Sequence, residues 1–130
     1  MPAAERDALV RRALWASVPY NVIGALIFAF PESLGRLAGL PVPVPHVYSA
    51  SLAVLVLLFG ATYAWLARQP RIDRPLVAFA AIGKASVFTV ILVCWLLGEG
   101  SVLGVLAVSG DLALAAIFTW WLRGDGARAA

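Results

Sequence analysis

Three polar residues, Asn21, Lys84 and Asp111, interrupt long apolar segments of this sequence, each near the middle of its segment. Lysine and aspartate can form an ion pair, exchange protons, or bind and isomerise a lipid-like molecule. A charged side chain at the centre of a bilayer costs about 2.5–3.5 kcal/mol on insertion scales, so such residues are candidates for function. Whether these three residues are candidates for function therefore depends on whether their segments span a membrane.

The composition is that of a membrane protein. Of 130 residues, 62% are hydrophobic and 13% are charged, and the mean hydropathy is +0.91. Soluble domains are roughly 45–50% apolar and about 25% charged. This composition excludes a soluble globular enzyme, a disordered regulator and a partner that is a nucleic acid. Cys94 and His46 are the single cysteine and histidine, so we expect no internal disulfide, no metal site and no cofactor.

Four apolar segments are long enough to span a membrane, since about 20 helical residues cross the hydrocarbon core. They cover residues 13–30, 46–67, 75–97 and 101–122. Prolines and glycines separate them, with an extended loop expected over residues 31–45 and a tight turn at residues 98–100. The sequence predicts an all-α fold, a four-helix transmembrane bundle that forms a single integral membrane domain over residues 1–130.

The basic residues predict the orientation of this bundle. Eight of the ten lysines and arginines lie before span one, between spans two and three, or after span four. Positive loops stay inside, so both termini are expected in the cytoplasm, with the chain multi-pass in the inner (plasma) membrane. The tryptophans lie near span ends, where an interfacial aromatic belt is expected: Trp15, Trp65, Trp95, Trp120 and Trp121.

Lys84 and Asp111 are predicted to meet. Their spans are antiparallel neighbours, and counting outward from Glu99 brings the two residues to within about 4–5 Å along the axis. Small residues at helical spacing flank Lys84, Asp111 and Asn21, which indicates that all three face other helices. We therefore expect a Lys84–Asp111 ion pair inside the bundle, either as a structural element or as part of a functional site.

Span one adds two further polar candidates. Pro19 frees the backbone carbonyl of Trp15, for which Tyr20, Asn21 or water could donate a hydrogen bond. Ser17 shares a helix face with Asn21. The predicted polar cluster therefore comprises Ser17, Tyr20, Asn21, Lys84 and Asp111. Span two is wholly apolar at this depth, and we expect it to face lipid more than the other spans do.

Two runs of residues carry a family resemblance. They are Gly83-Lys84 with Phe88 and Trp95-Leu96-Leu97-Gly98, and Gly110-Asp111 with Phe118 and Trp121-Leu122. With its size and topology, the chain resembles the small bacterial four-helix membrane proteins grouped as DoxX-like, most of which are uncharacterised. The resemblance implies a small integral subunit, sometimes linked to membrane redox or stress complexes. It transfers no catalytic residue.

The sequence carries no nucleophile elbow, zinc-binding HExxH or phosphate-binding glycine loop. The favoured function is a non-enzymatic membrane subunit, or a protein that binds a small molecule or lipid. Besides the lipid bilayer, its partner could be another membrane protein, a second copy of the chain or an apolar small molecule. One alternative is a small proton-coupled transporter in which Asp111 titrates. Another is an intramembrane enzyme that acts on an apolar substrate.

Overall fold

The computed structural model describes residues 1–124, and this part of the chain is helical apart from its connections. The long helices are α1 (Ala3–Ala29), α2 (His46–Arg68), α3 (Arg74–Leu96) and α4 (Val102–Arg123), and a π-helical turn covers Pro31–Gly35. Each long helix has the length and hydropathy to cross a membrane. The predicted all-α, four-helix transmembrane architecture is confirmed, and the chain is a multi-pass membrane protein.

Helices α2, α3 and α4 begin and end within one residue of the expected spans, but α1 begins about ten residues before its span. Residues 3–12 carry charges that keep them out of an apolar window, yet Val10 on this first part of the helix is completely buried. A hydropathy window detects the lipid-crossing part of a helix, whereas backbone hydrogen bonding and packing extend α1 beyond it. The loop expected over residues 31–45 also begins with helical structure, at Pro31–Gly35.

Local chemistry ends the helices where the connections require it. The Asp73 carboxylate accepts a hydrogen bond of 2.9 Å from the Leu76 amide and caps the start of α3. After α3, the Gly98 amide bonds to the Trp95 carbonyl at 3.0 Å and the Glu99 amide to the Cys94 carbonyl at 2.8 Å. Gly98 adopts a φ of 85°, so this is a Schellman ending that requires glycine. It returns the chain directly into α4.

The bundle consists of two helical hairpins. Helix α1 packs along α2, α3 packs along α4, and the hairpins meet mainly through α1 and α4. Phe59 of α2 stacks on Phe79 of α3, with ring centroids 5.6 Å apart, on the other side. The start of α1 and the end of α4 lie at one end of the bundle, called here the terminal end. The opposite end, which holds residues 30–45 and 97–101, is called the loop end.

An apolar core fills the terminal half of the bundle. All four helices contribute to it: Val10, Ala13, Leu14, Tyr63, Leu66, Ala67, Val77, Ala80, Ala81, Phe118 and Trp121. Burying these side chains against each other fixes the packing of the hairpins at this end. Many large apolar side chains elsewhere on the helices point outward, such as Leu55, Ile82 and Leu106, as expected for a surface that contacts a lipid bilayer.

Arginines close the terminal end by capping the ends of neighbouring helices. Arg11 of α1 donates to the Ala67 carbonyl at 2.7 Å and to the Pro70 carbonyl at 3.0 Å, beyond the end of α2. Arg74 donates to the Leu122 carbonyl of α4 at 2.6 Å. The last carbonyls of a helix lack partners and carry partial negative charge. These arginines therefore stabilise helix ends.

Trp121 departs from the predicted aromatic belt. Trp15, Trp65, Trp95 and Trp120 are at least 39% exposed, as a belt at the lipid interface requires, but Trp121 is only 4% exposed. Its indole Nε1 donates a hydrogen bond of 2.8 Å to the Asp7 carboxylate. The early part of α1, absent from the expected span, covers this ring, so Trp121 joins the core.

Candidate functional site

Lys84 and Asp111 form an ion pair between α3 and α4 at the middle of the bundle. Nζ of Lys84 donates to Oδ1 of Asp111 over 2.6 Å. Lys84 is 3% exposed and Asp111 is 9% exposed, so both charges are largely removed from lipid and water. A buried pair tolerates such desolvation only when its geometry is close and further hydrogen bonds satisfy its groups.

Asn21 supplies one of those further hydrogen bonds and connects the two hairpins. Its side-chain oxygen lies 3.4 Å from Nζ of Lys84, and its side-chain nitrogen donates to the Val56 carbonyl of α2 over 3.0 Å. Gly60 makes this contact possible, because a Cβ atom there would come within 3.1 Å of the Asn21 Cβ. Asn21 thus links α1, α2 and α3 at one depth.

Two tyrosine rings complete the surroundings of the ammonium group. Nζ of Lys84 lies 5.0 Å from the ring centroid of Tyr63 and 5.4 Å from that of Tyr20. Aromatic faces within about 6 Å attract a cation, and the attraction grows where water is excluded. The Lys84 site is therefore defined by the side chains of Lys84, Asp111, Asn21, Tyr20 and Tyr63, together with the Val56 carbonyl that accepts from Asn21.

The hydrogen bonds of Tyr20 and Asn21 differ from the sequence prediction. The Tyr20 hydroxyl donates to the Ala107 carbonyl of α4, and Asn21 donates to Val56. The described contacts of these two side chains therefore reach other helices and not the Trp15 carbonyl, for which the sequence offered Tyr20, Asn21 or water as donors. Helix α1 continues from Ala3 to Ala29 through Pro19.

Ser17 is buried but does not share in the Lys84 site. It is completely inaccessible, and its hydroxyl donates to the Ala13 carbonyl of its own helix over 2.9 Å. A serine whose donor is used within its helix packs as a small residue. Of the predicted polar cluster, the structure brings Lys84, Asp111, Asn21 and Tyr20 together, while Ser17 bonds locally.

Helix α2 contributes more to the site than its apolar sequence suggested. Although Val54, Leu55 and Leu58 are exposed as expected, the Val56 carbonyl and the Tyr63 ring both belong to the Lys84 site. A signal for this was present, because Ser49, Ala53, Val56, Gly60, Tyr63 and Ala67 follow alternating spacings of three and four. That pattern marks a helix face that packs against other helices.

The Lys84 site encloses the ammonium group of Lys84 and does not expose it to a ligand. The ammonium of Lys84 is directed at one carboxylate oxygen and one amide oxygen, with rings on its remaining sides. Attack by the amine on a carbonyl compound would first require this ion pair to separate. The described residues hold no group of three or more histidine, cysteine, aspartate or glutamate side chains that could bind a metal.

The loop end of the bundle encloses free volume away from the Lys84 site. A cavity of about 200 Å³ opens between the hairpins and the connection that follows α1. Its walls are mostly apolar and include Phe28, Leu40, Leu52, Ile91, Cys94 and Gly104. None of the five residues of the predicted polar cluster is among the residues that line this cavity within residues 1–124. Cavity and ion pair thus occupy different depths, about 10–15 Å apart by helical rise.

Comparison with known proteins adds no relative. No protein-family model, no curated protein and no solved structure matches this chain. The resemblance to DoxX-like proteins therefore stays a prediction.

Proposed function

We propose that this protein is a non-enzymatic membrane protein that binds a small apolar molecule or lipid within its bundle. The observation that carries this proposal is the separation of the cavity from the Lys84 site. Free volume lined by apolar side chains is present at the loop end, while the charged groups at mid-depth are occupied by one another. Apolar pockets with few polar groups are the usual sites for small molecules.

In this proposal Lys84 and Asp111 set the register of the hairpins. The pair joins α3 to α4, and Asn21 joins Lys84 to α1 and α2. A shift of any one helix by a single turn, about 5.4 Å, would separate these groups and leave a charge unpaired. The cost of that error favours one packing of the four helices.

We also propose that both termini lie in the cytoplasm and that the protein is related to the DoxX-like family. A bundle with both termini in the cytoplasm is supported by the arginines of the terminal end, Arg6, Arg11, Arg12, Arg68, Arg71, Arg74 and Arg123; Arg128 lies outside the described residues. At the loop end, Arg36 pairs with Glu32 at 2.9 Å. Four spans with polar groups at mid-depth are also what the proposed DoxX-like relationship implies.

Native mass spectrometry tests the function. We would extract the wild-type protein and the double variant Lys84→Met/Asp111→Leu gently from the membrane in which each is expressed. We expect the same small molecule or lipid on both, because the double variant removes the charges but leaves the cavity. A ligand that is lost from a folded double variant would instead make the Lys84 site the binding site.

Two other outcomes would replace the proposal. A stoichiometric protein partner without a small molecule would identify a membrane subunit. Proton-coupled flux in proteoliposomes that disappears in Asp111→Asn, with the fold retained, would identify a transporter in which Asp111 titrates.

A further inference from the structure

The cavity at the loop end is a built feature that the chain closes on several sides. Phe28 of α1, Leu52 of α2 and Ile91 of α3 contribute its walls. The connection after α1 covers it, held by a hydrogen bond of 3.3 Å from the Ser101 hydroxyl to the Gly39 carbonyl. Gly39 has a φ of 82°, and a Cβ atom there would collide with the Ser101 hydroxyl oxygen. This close approach requires glycine at position 39.

The size of the cavity limits its occupant. An apolar cavity of about 150 Å³ holds benzene, so one of 200 Å³ takes roughly eight carbon atoms. That volume accommodates part of one alkyl chain and not two chains side by side. The largely apolar lining offers few hydrogen bonds, so it favours hydrocarbon over a polar molecule.

Charge at the rim limits the headgroup. Glu99 lines the cavity and is exposed in the turn between α3 and α4, so an acidic residue lies at the cavity rim. In the connection between α1 and α2, Glu32 and Arg36 pair with each other at 2.9 Å. A carboxylate or phosphate beside Glu99 would be repelled, whereas a hydroxyl or ammonium group could bind it.

We infer that this cavity binds the alkyl chain of a single-chain amphiphile whose headgroup is uncharged or cationic. This inference rests on the proposed binding function and specifies the ligand class. The chain end lies among Phe28, Leu52 and Ile91, and the headgroup lies beside Glu99. Lys84 and Asp111, deeper in the bundle, take no part in binding.

Photolabelling of the full-length protein in nanodiscs tests the inference. The probes are a long-chain alkylamine and a fatty acid of the same length, each with a diazirine near the chain end. We expect the amine to label the peptides that contain Ile91 and Leu52. Cys94→Phe fills the cavity and should lower this labelling about tenfold, equivalent to about 1.4 kcal/mol of lost binding.

The neighbouring substitution Val93→Phe is the matched control. Val93 is 46% exposed on the lipid side of the same helix turn, so the added ring leaves the cavity open and labelling should stay at the wild-type level. Glu99→Gln changes an exposed side chain and should raise labelling by the fatty acid towards that by the amine. This second variant tests the headgroup even if Cys94→Phe fails to fold.

Three results would overturn the inference. The first is that the amine does not label the cavity peptides. The second is that it labels Cys94→Phe as strongly as Val93→Phe. The third is that the fatty acid labels the wild type as strongly as the amine does. If native mass spectrometry still finds a bound small molecule, only the assignment of the site or ligand fails. If no small molecule binds at all, the proposed function fails with it.

Discussion

The ring of Tyr20 in α1 lies directly against Gly110 in α4. A Cβ atom at position 110 would come within 2.8–2.9 Å of Cε2, Cζ and the hydroxyl oxygen of Tyr20. Glycine therefore lets the two hairpins approach closely beside the ion pair. This approach lets the Tyr20 hydroxyl reach the Ala107 carbonyl and keeps its ring 5.4 Å from the Lys84 ammonium.

Gly110→Ala should destabilise the bundle. The new methyl group would displace Tyr20, and overpacking of this kind costs about 1–3 kcal/mol. Thermal unfolding in detergent should show a lower midpoint than that of the wild type. Gly83→Ala is the control, since nothing lies within 4 Å of a Cβ atom there; it should be neutral or stabilising, because alanine favours helix over glycine by about 1 kcal/mol. Equal effects of the two substitutions would contradict the tight Tyr20–Gly110 contact.

Lys84→Met should be more harmful alone than in combination with Asp111→Leu. The single change leaves Asp111 buried without its cation, and breaking a buried pair in this way lowers the free energy of unfolding by about 3–5 kcal/mol. Replacing both charged residues by apolar ones often leaves the free energy of unfolding nearly unchanged. A double-mutant cycle on the midpoint of thermal unfolding measures the coupling. Val87→Met, at an exposed position of the same helix, controls for the methionine itself. Additive losses in the double variant would show that the pair does not set the structure.

Asn21→Leu should weaken the contact between the hairpins. It removes the donor to the Val56 carbonyl and the acceptor for Lys84 at similar side-chain size. Interhelical hydrogen bonds in membranes contribute about 0.6–2 kcal/mol each, so we expect a measurable fall in resistance to unfolding by sodium dodecyl sulfate. Asn21→Gln, which keeps the amide on a longer side chain, should lose less resistance than Asn21→Leu. Wild-type resistance in Asn21→Leu would exclude the bridging role of Asn21.

Arg11→Met should loosen the end of α2. Its hydrogen bonds to the Ala67 and Pro70 carbonyls involve a charged donor, and a cation at a helix C-terminus contributes about 0.3–1 kcal/mol. Hydrogen exchange of the amides around residues 66–70 should become faster. Arg12→Met changes the exposed neighbour and removes the same charge, so it should leave this exchange unchanged. Similar acceleration in both would attribute the effect to net charge alone.

Cysteine labelling tests the proposed orientation. In a Cys94→Ser background, a cysteine replacing Glu99 at the loop end should react with a membrane-impermeant maleimide added outside spheroplasts. A cysteine replacing Arg71 at the terminal end should react only after the membrane is opened. The reverse pattern would place the termini outside the cytoplasm and contradict the reading of the basic residues.

Much of the architecture followed from composition and periodicity. The four helices, the turn at Gly98 and the approach of Lys84 to Asp111 depend on short-range rules: apolar length, glycine conformation and rise per residue. Two antiparallel helices joined by a short turn leave little freedom in relative height. The depth of Asn21 was also predictable from its place in an apolar segment.

What surrounds the ion pair depended on how the helices rotate and pair. Tyr63 and the Val56 carbonyl joined the Lys84 site, Ser17 turned to its own helix, and the start of α1 buried Trp121. The cavity at the loop end likewise arises from the spacing of four helices and one connection. Hydropathy along a chain indicates how deep each residue lies in the membrane. The rotation of each helix about its own axis, however, follows from the packing of all four helices. Sequence alone therefore determined the depth of the polar groups, and only the tertiary structure decided their partners.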